Sequence, residues 1–290
     1  MASIKDFNRK IKSLTNTRKI TKTMKMVAAS KLRKAYDLQA HAKFYAQNIT
    51  ALISRVSASV DHTLHPLLNE HKTLQKALLV VFTSDRGLCG SFNHNAIGGA
   101  ESWLMDNQKK FKKIDMAFCG RYGFSHFQNA MNVKKYYEGV TAVPQFTNAR
   151  KIGDDFCNWF LANEYDEVYL TFNQFFNPLS QKTIVEKVLP IDAAALLHQE
   201  KIERKSDYLF EPPAPDLLKF LIPHFVYFKI YFTLLENAAG EHGARMTAMD
   251  NATRNASDLI DRYTLLRNRA RQAEITVELT EIVAGAEAIK

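Results

Sequence analysis

Residues 16–34 read NTRKITKTMKMVAASKLRK, and this stretch decides how the first part of the chain folds. It contains no Pro and no Gly, and neither does the rest of residues 4–60. Because those two residues are the strongest helix breakers, the composition predicts one uninterrupted helix. At 1.5 Å per residue this helix would be about 80 Å long, well beyond the diameter of a small domain. It must therefore project from its domain or lie along an equally long partner.

A seven-residue repeat runs through this helix and predicts a coiled-coil seam. Most of its positions are apolar, and Arg18, Thr21, Lys25 and Gln39 are the polar exceptions. Such a narrow stripe is typical of a coiled coil rather than of a globular amphipathic helix. The seam positions are Ile4, Phe7, Ile11, Leu14, Arg18, Thr21, Lys25, Ala28, Leu32, Ala35, Gln39, Ala42, Ala46, Ile49, Ile53, Val56 and Val60.

A second seam near the C-terminus supplies a partner for the first. It predicts a helix from about Asp216 to about Ala288, kinked or restarted at Pro223. Two Ala-rich seams predict an antiparallel two-stranded coil whose far tip is formed by both termini or by the longer C-terminal helix alone. The alternative is two separate amphipathic helices packed on a globular core. The second seam consists of Met249, Ala252, Ala256, Leu259, Tyr263, Leu266, Ala270, Ala273, Val277, Thr280 and Ala284.

Between the seams, short apolar runs alternate with helical stretches, which predicts an α/β domain with a largely parallel sheet. The predicted strands are Ala77–Phe82, Ile114–Phe118, Glu167–Phe172 and Thr183–Val188, and the predicted helices are 93–110, 122–131 and 149–162. The fold class is therefore α/β plus a long antiparallel coiled coil. Its parts are residues 1–62 (N-terminal coil helix), 75–205 (a central Rossmann-like α/β domain) and 212–290 (C-terminal coil helix).

The charge of this 290-residue chain is concentrated at its N-terminus. The formal net charge is +9, yet residues 1–60 hold 13 Lys and Arg against only Asp6 and Asp37. A solvated helix face normally mixes both signs, so a nearly all-positive one indicates an acidic partner. Nucleic acid is the generic candidate, although the stretch from Arg18 to Ser30 offers no aromatic side chain for base stacking. The apolar stretch Phe220–Leu235 contains Pro, His and Lys, and we interpret it as buried rather than membrane-spanning.

The residues that could carry chemistry are few. The loop Ser84–Asn93 reads SDRGLCGSFN and follows the first strand, where α/β folds bind phosphate, but it lacks both the dinucleotide and the phosphate-loop glycine patterns. We interpret it as a structural turn, with Asp85 or Asn93 capping, and leave nucleotide binding as the alternative. Cys89 has no local base, and no His or Cys cluster has metal-ligand spacing. No catalytic residue, cofactor site or metal site is predicted.

Four segments together resemble one known family, the γ subunits of F-type ATP synthases. They are residues 16–34, the loop SDRGLCG at 84–90, ARMTAM at 244–249 and ITVELTEIVAGAEA at 275–288. The last segment matches the family signature Ile-Thr-x-Glu-x-x-Glu-x-x-x-Gly-Ala at every specified position. The resemblance covers the whole chain in order. Its departures are modest: Ser91 stands where many members have Gly, and Thr23 stands where Ala is common.

This resemblance implies a non-catalytic rotor shaft. In the family, an antiparallel coil turns inside a hexamer of α and β subunits, an α/β domain bears on the membrane rotor ring, and rotation couples ion flow to ATP synthesis or hydrolysis. Met24 and Lys25 match positions facing an acidic lever of the β subunit. Arg245, Gln272 and Thr276 match positions near the β catch loop. Two further positions, Tyr208 and Glu211, match the foot that touches the c-ring and the ε subunit, and the apolar tip Ile275–Ile289 would turn in an apolar sleeve.

The resemblance also implies a location and partners. No transit peptide precedes the first helix, so we expect a bacterial chain, peripheral on the cytoplasmic face of the inner membrane, without direct membrane insertion and without nucleic acid. The expected partners are the α, β and ε subunits and the c-ring. Two alternatives from other classes stay open: a basic coiled-coil arm that binds nucleic acid, and a small-molecule enzyme with a ligand at the turn Gly87–Gly90.

Overall fold

The computed structural model describes residues 3–57, 65–71, 74–192 and 210–287. Two long helices enclose the α/β elements in sequence: α1 is Ile4–Ser57 and α5 is Ala214–Glu287. Pro223 lies inside α5 without ending it. The prediction of a long helix at each end is confirmed. Between them lie β1 (Lys76–Phe82), α2 (Phe92–Asn107), β2 (Lys113–Cys119), α3 (Arg121–Phe127), β3 (Val133–Tyr137), α4 (Phe146–Leu161), β4 (Glu167–Asn177) and β5 (Ser180–Leu189), preceded by a 3₁₀ helix at Pro66–Leu68.

The chain divides into two compact units. We call Met1–Ala28 with Arg245–Lys290 the coil unit, and Ala29–Ala244 the sheet unit. Each unit contains a part of α1 and a part of α5, because both long helices run through the division.

The sheet unit contains a doubly wound α/β arrangement. Among its described residues, five strands are ordered β3-β2-β1-β4-β5. The first four strands are parallel, and β5 pairs antiparallel with β4 at one edge. This confirms the Rossmann-like fold class. Strand β3 is not among the predicted strands, because Lys134 and Lys135 give this edge strand a polar pattern, and β4 extends five residues beyond its predicted end at Phe172.

Alternate residues of β1 bury into two different cores. Leu79 and Val81 pack with Ile97 and Phe118 on the face covered by α2 and α3. On the other face, Leu78, Val80 and Phe82 pack with α4 and with both long helices. A strand buried on both faces explains the continuous apolar run KALLVVF, which a half-exposed strand would not need.

Both long helices contribute to this second core. It includes Ile49, Ile53 and Val56 from α1 and Leu221, Ile222, Val226, Ile230 and Leu234 from α5. By length and composition α5 contains a window that suits a membrane span, yet 44% of that window is buried inside the protein. The stretch Phe220–Leu235 therefore serves the protein's own core, as its interruptions by polar residues predicted.

In the sheet unit the seam of α1 packs against α5 residues that precede the predicted second seam. Ala35 packs with Ala239 and Phe175, and Ala42 packs with Phe228 and Leu235. Positions further along α1 contact positions earlier in α5, so the two helices run antiparallel. Small side chains at the contact permit close approach of the helix axes.

The coil unit shows the same antiparallel pairing. The Thr21 and Thr253 hydroxyls lie 2.8 Å apart, and the rings of Phe7 and Tyr263 lie 6.3 Å apart. Every residue of 271–287 is exposed. Among the described residues, this end of the coil unit therefore consists of α5 alone, which is the second of the two predicted tips.

Gly120 makes the turn from β2 into α3 possible. Its φ is +107°, and a Cβ atom there would lie 2.3 Å from the Thr83 carbonyl oxygen. The close approach permits two hydrogen bonds on either side of Gly120. The Thr83 amide donates to the Cys119 carbonyl at 2.8 Å, and the Gly123 amide donates to the Thr83 hydroxyl at 2.9 Å. These contacts join the carboxyl ends of β1 and β2.

We therefore expect Gly120→Ala to lower the free energy of unfolding by about 2–4 kcal/mol, since backbone strain and a clash with main-chain atoms add. Gly98→Ala is the control: Gly98 lies in α2 with open space around its Cα. There Ala should raise the stability by about 0.5–1 kcal/mol. Urea unfolding of the two purified variants measures both changes, and equal stabilities would contradict the assigned role of Gly120.

Candidate functional site

The loop after β1 satisfies its own polar groups. The Ser84 amide donates to Asn93 Oδ1 at 2.9 Å, Asn93 Nδ2 donates to the Ser84 hydroxyl at 2.8 Å, and that hydroxyl donates to the Arg86 carbonyl at 2.7 Å. Leu88 and Gly90 adopt φ values of 64° and 59°, which closes the turn. This network favours the structural interpretation of the loop over the nucleotide-binding one.

Asp85 and Cys89 are occupied in the same way. The two Asp85 carboxylate oxygens accept the Arg121 amide at 3.1 Å and the Thr141 hydroxyl at 2.8 Å. Cys89 is buried, and its sulfur lies 3.3 Å from Asn93 Nδ2. Among the described residues, no group of three or more His, Cys, Asp or Glu side chains is arranged to hold a metal ion. The loop thus links β1 to α3 and to Thr141 instead of presenting a nucleophile.

Helix α5 covers the place where doubly wound sheets usually bind ligands. That place is the crevice at the carboxyl ends of the strands where the strand order reverses, here between β1 and β4. Asn237 Nδ2 donates to the Thr83 carbonyl at 3.1 Å, and Gln181 Nε2 donates to the Gly240 carbonyl at 2.9 Å. A Cβ atom on Gly240 would lie 2.9 Å from the Phe92 ring. The crevice is filled by a helix of the same chain.

The coil unit carries most of the predicted contact residues. Met24 and Arg245 are half-buried, whereas Gln272 and Thr276 are exposed. The Thr276 hydroxyl donates to the Gln272 carbonyl at 2.9 Å, one turn earlier on the same helix. Glu211 is exposed and belongs to the sheet unit, and Tyr208 lies outside the described residues. The structure therefore places five of the seven predicted contact residues in the coil unit: Met24, Lys25, Arg245, Gln272 and Thr276.

Lys25 is held by a carboxylate that the sequence analysis did not single out. Its ammonium nitrogen lies 2.6 Å from Asp250 Oδ1, while Arg254 bonds the other Asp250 oxygen at 2.7 Å. The hydrogen bond from Lys25, followed by the charge of Arg254, lowers the pKa of Asp250. The ion pair explains how a Lys can occupy a seam position. Lys25 still exposes 42% of its side chain, so it remains available to a partner.

Two surfaces of the coil unit are exposed in the part of the chain that the structure describes. The first is cationic and lies on α1, with exposed Lys5, Arg9, Lys10, Lys12, Lys19 and Lys22. The second is the apolar end of α5, where Ile275, Val277, Leu279, Ile282 and Val283 are 47–67% exposed. Large exposed apolar surfaces mark interaction sites. Fold and surface together are typical of a class: subunits that combine an α/β domain with a long coil exposing charged and apolar surfaces to partners.

Comparison with known proteins identifies the family. The family model described as ATP synthase matches residues 3–289. The ATP synthase gamma chains of Trichlorobacter lovleyi and Geobacter metallireducens are each 42% identical to this chain, over 293 and 290 aligned residues, with 100% of both chains covered. The chain belongs to the ATP synthase γ-chain family. The nucleic-acid alternative finds no support among these relatives.

Solved structures agree in fold. A chain of the Euglena gracilis mitochondrial ATP synthase, in an assembly of OSCP, F1 and c-ring, matches with a TM-score of 0.64 at 18% identity, covering 99% of this chain and 94% of that chain. A chain of the Tetrahymena thermophila central stalk and c-ring matches with a TM-score of 0.57 at 24% identity, covering 80% and 99%. The fold is thus that of the ATP synthase central stalk, part of a membrane-associated complex.

The structural role of the loop after β1 can be tested at Asn93. We expect Asn93→Ala to lower the free energy of unfolding by about 1–3 kcal/mol, because the buried Ser84 amide loses its acceptor. Asn95, on the same helix, is exposed, and Asn95→Ala should change stability by less than about 0.5 kcal/mol. Chemical denaturation measures both. If the wild-type chain bound ATP in equilibrium dialysis and lost that binding in Asn93→Ala, the loop would be a ligand site instead.

Proposed function

We propose that the chain is the rotating shaft of its ATP synthase, itself without catalytic residues, and that it turns inside the hexamer of α and β subunits. The observation that carries the proposal is the pair of exposed surfaces on the coil unit, cationic on α1 and apolar at the end of α5. A chain of this family with such surfaces needs partners that are acidic beside the first surface and apolar around the second.

The proposed mechanism is allostery by a rigid, asymmetric coil. Each orientation of the coil presents its cationic side to a different β subunit, so the free energy of each β conformation depends on the angle of the shaft. Met24 and Lys25 would meet the acidic lever of β, and Arg245, Gln272 and Thr276 its catch loop. The Lys25–Asp250 pair suits this role because Asp250 fixes the direction of the ammonium group before the partner arrives.

The sheet unit would connect the shaft to the membrane part of the complex. Glu211 is exposed ahead of α5, and with Tyr208 it is the proposed contact to the c-ring and the ε subunit. The helix stretch with membrane-like composition is used in the core, which supports a peripheral position without insertion. We place the chain on the cytoplasmic face of the bacterial inner membrane, in keeping with its bacterial relatives.

Assembly tests the proposal directly. Mixing the purified chain with the α and β subunits should give a complex that native mass spectrometry weighs as one copy of the chain per αβ hexamer. The chain alone should hydrolyse no ATP, since the loop after β1 bonds to itself and α5 fills the crevice of the sheet. Failure to enter the hexamer, or appreciable ATPase activity of the purified chain, would contradict the proposal.

Arg245 tests the contact to the catch loop. Arg245→Ala should lower ATP turnover of the assembled complex by about tenfold, the effect of losing one charge-assisted contact worth roughly 1.5 kcal/mol. The control is Arg254→Ala on the same helix, whose side chain is 73% exposed and reaches only Asp250 in the contacts described above. Circular dichroism should show both variants folded. Equal turnover in the two variants would contradict the role assigned to Arg245.

A further inference from the structure

A buried carboxylate in α5 is left unexplained by the proposed partner contacts. Glu236 is only 4% exposed and is flanked along the helix by the fully buried Leu235 and Asn237. Burial is the largest influence on this carboxyl group and raises its pKa, opposed by its hydrogen bonds and by the charges of Lys229 and Lys43. A buried carboxylate costs free energy unless its oxygens are hydrogen-bonded, so its partners indicate what it is for.

The two oxygens of Glu236 bind two different elements. Oε1 accepts a hydrogen bond from Gln39 Nε2 on α1, and Oε2 accepts one from the Phe175 backbone amide on β4 at 2.6 Å. Because Glu236 itself belongs to α5, one side chain joins both long helices and the sheet. Gln39 is one of the polar positions of the N-terminal seam, and this contact gives the physical reason for its polarity.

The Phe175 amide needs such a partner because β4 extends beyond its pairing with β1. The pairing of β1 with β4 ends at Val81 and Thr171, whereas β4 continues to Asn177 with only β5 beside it. The end of β4 therefore presents an unpaired strand edge. Helix α5 covers that edge, and the Glu236 carboxylate takes the place of the missing strand's carbonyl. Backbone amides that are buried without an acceptor are rare, because each one is costly.

Closely packed residues lie beside this contact. Ala35, Phe175 and Ala239 form a small buried cluster with Leu32 at its margin. Further along α5, a Cβ atom on Gly243 would lie 3.1 Å from Pro178 Cα, at the tip of the β4–β5 hairpin. The hairpin thus rests on both helices. Gln181 and Glu186 of β5 also bond α5, at the Gly240 carbonyl and at Lys229, but Glu236 bonds α1 and β4 at once.

We propose that Glu236 is a positioning residue that locks the β4–β5 hairpin to both long helices, so that torque passes between the helices and the sheet without slip. The inference rests on the proposed rotor function and deepens it. An apolar interface alone resists separation but permits sliding, whereas a carboxylate bound on two sides fixes the angle and the register of its partners.

Hydrogen exchange on the full chain tests the contact without any activity measurement. In Glu236→Ala the Phe175 amide should lose protection by about tenfold or more, because its acceptor is gone. In Glu236→Gln, which keeps an acceptor oxygen, protection should stay near the wild-type value. The Val80 amide, in the centre of the sheet, should be unchanged in both. Unchanged protection of Phe175 in Glu236→Ala would overturn the assigned contact.

Coupling in the complete ATP synthase, reconstituted in vesicles, tests the mechanical role. The readout is the number of protons pumped per ATP hydrolysed, compared at equal content of assembled complex. We expect Glu236→Ala to lower this ratio and Glu236→Gln to restore it. The matched control is Asp115→Ala, which removes another buried carboxylate whose partners, Asn132, Tyr165 and Lys113, all lie outside the long helices. A wild-type ratio in Glu236→Ala, or an equal loss in Asp115→Ala, would overturn the proposal.

Two further results keep the inference distinct from the function on which it rests. If Glu236→Ala does not assemble, Gln39→Leu removes only the contact to α1, and an unchanged coupling ratio in that variant would overturn the lock. If the wild-type chain itself fails to assemble or to support pumping, the rotor function fails, and the exchange experiment still decides whether Glu236 holds Phe175.

Discussion

The close approach of helix α5 to the end of the sheet is the contact on which the rest of the sheet unit depends. At Gly240 a side chain would meet the Phe92 ring, and at Gly243 it would meet the backbone of Pro178. Because glycine stands at both places, the helix can lie directly against β4 and the hairpin. Larger residues would push the helix away and leave the Thr83 carbonyl and the Phe175 amide without their partners from α5.

The contact of α5 with the sheet closes the ligand crevice of a common fold. A doubly wound sheet normally leaves its carboxyl edge open, and ligands bind at the point where the strand order reverses. Here Asn237 and Gly240 of α5 fill that point, and the loop after β1 bonds to itself. The sheet thereby packs against both long helices instead of binding a ligand at this edge. The same architecture that leaves a ligand site in enzymes elsewhere is here closed by a helix of its own chain.

The long seams were predictable because they depend on local rules. Helix breakers are absent from residues 4–60, and the repeat of the first seam, as far as Val56, names positions that the structure leaves buried or half-buried. In the second seam Leu259, Ala273, Val277, Thr280 and Ala284 are exposed. Edge elements were harder to predict. Strand β3 carries charged residues on a partly exposed edge, so its pattern resembles a loop until a neighbouring strand supplies hydrogen bonds. Asp250 and Glu236 gave no signal of their own, because their partners on α1, Lys25 and Gln39, lie 225 and 197 residues away in the chain.

The sequence by itself determined the two helices, their antiparallel pairing, the α/β class of the middle and the family, because periodicity and motifs are written along a single stretch of chain. Only the tertiary structure decided which carboxylate neutralises Lys25, why Gln39 interrupts an apolar seam, and what closes the edge of the sheet. Those contacts join residues remote in sequence. Their strength depends on burial and hydrogen-bond geometry, which exist only once the chain has folded.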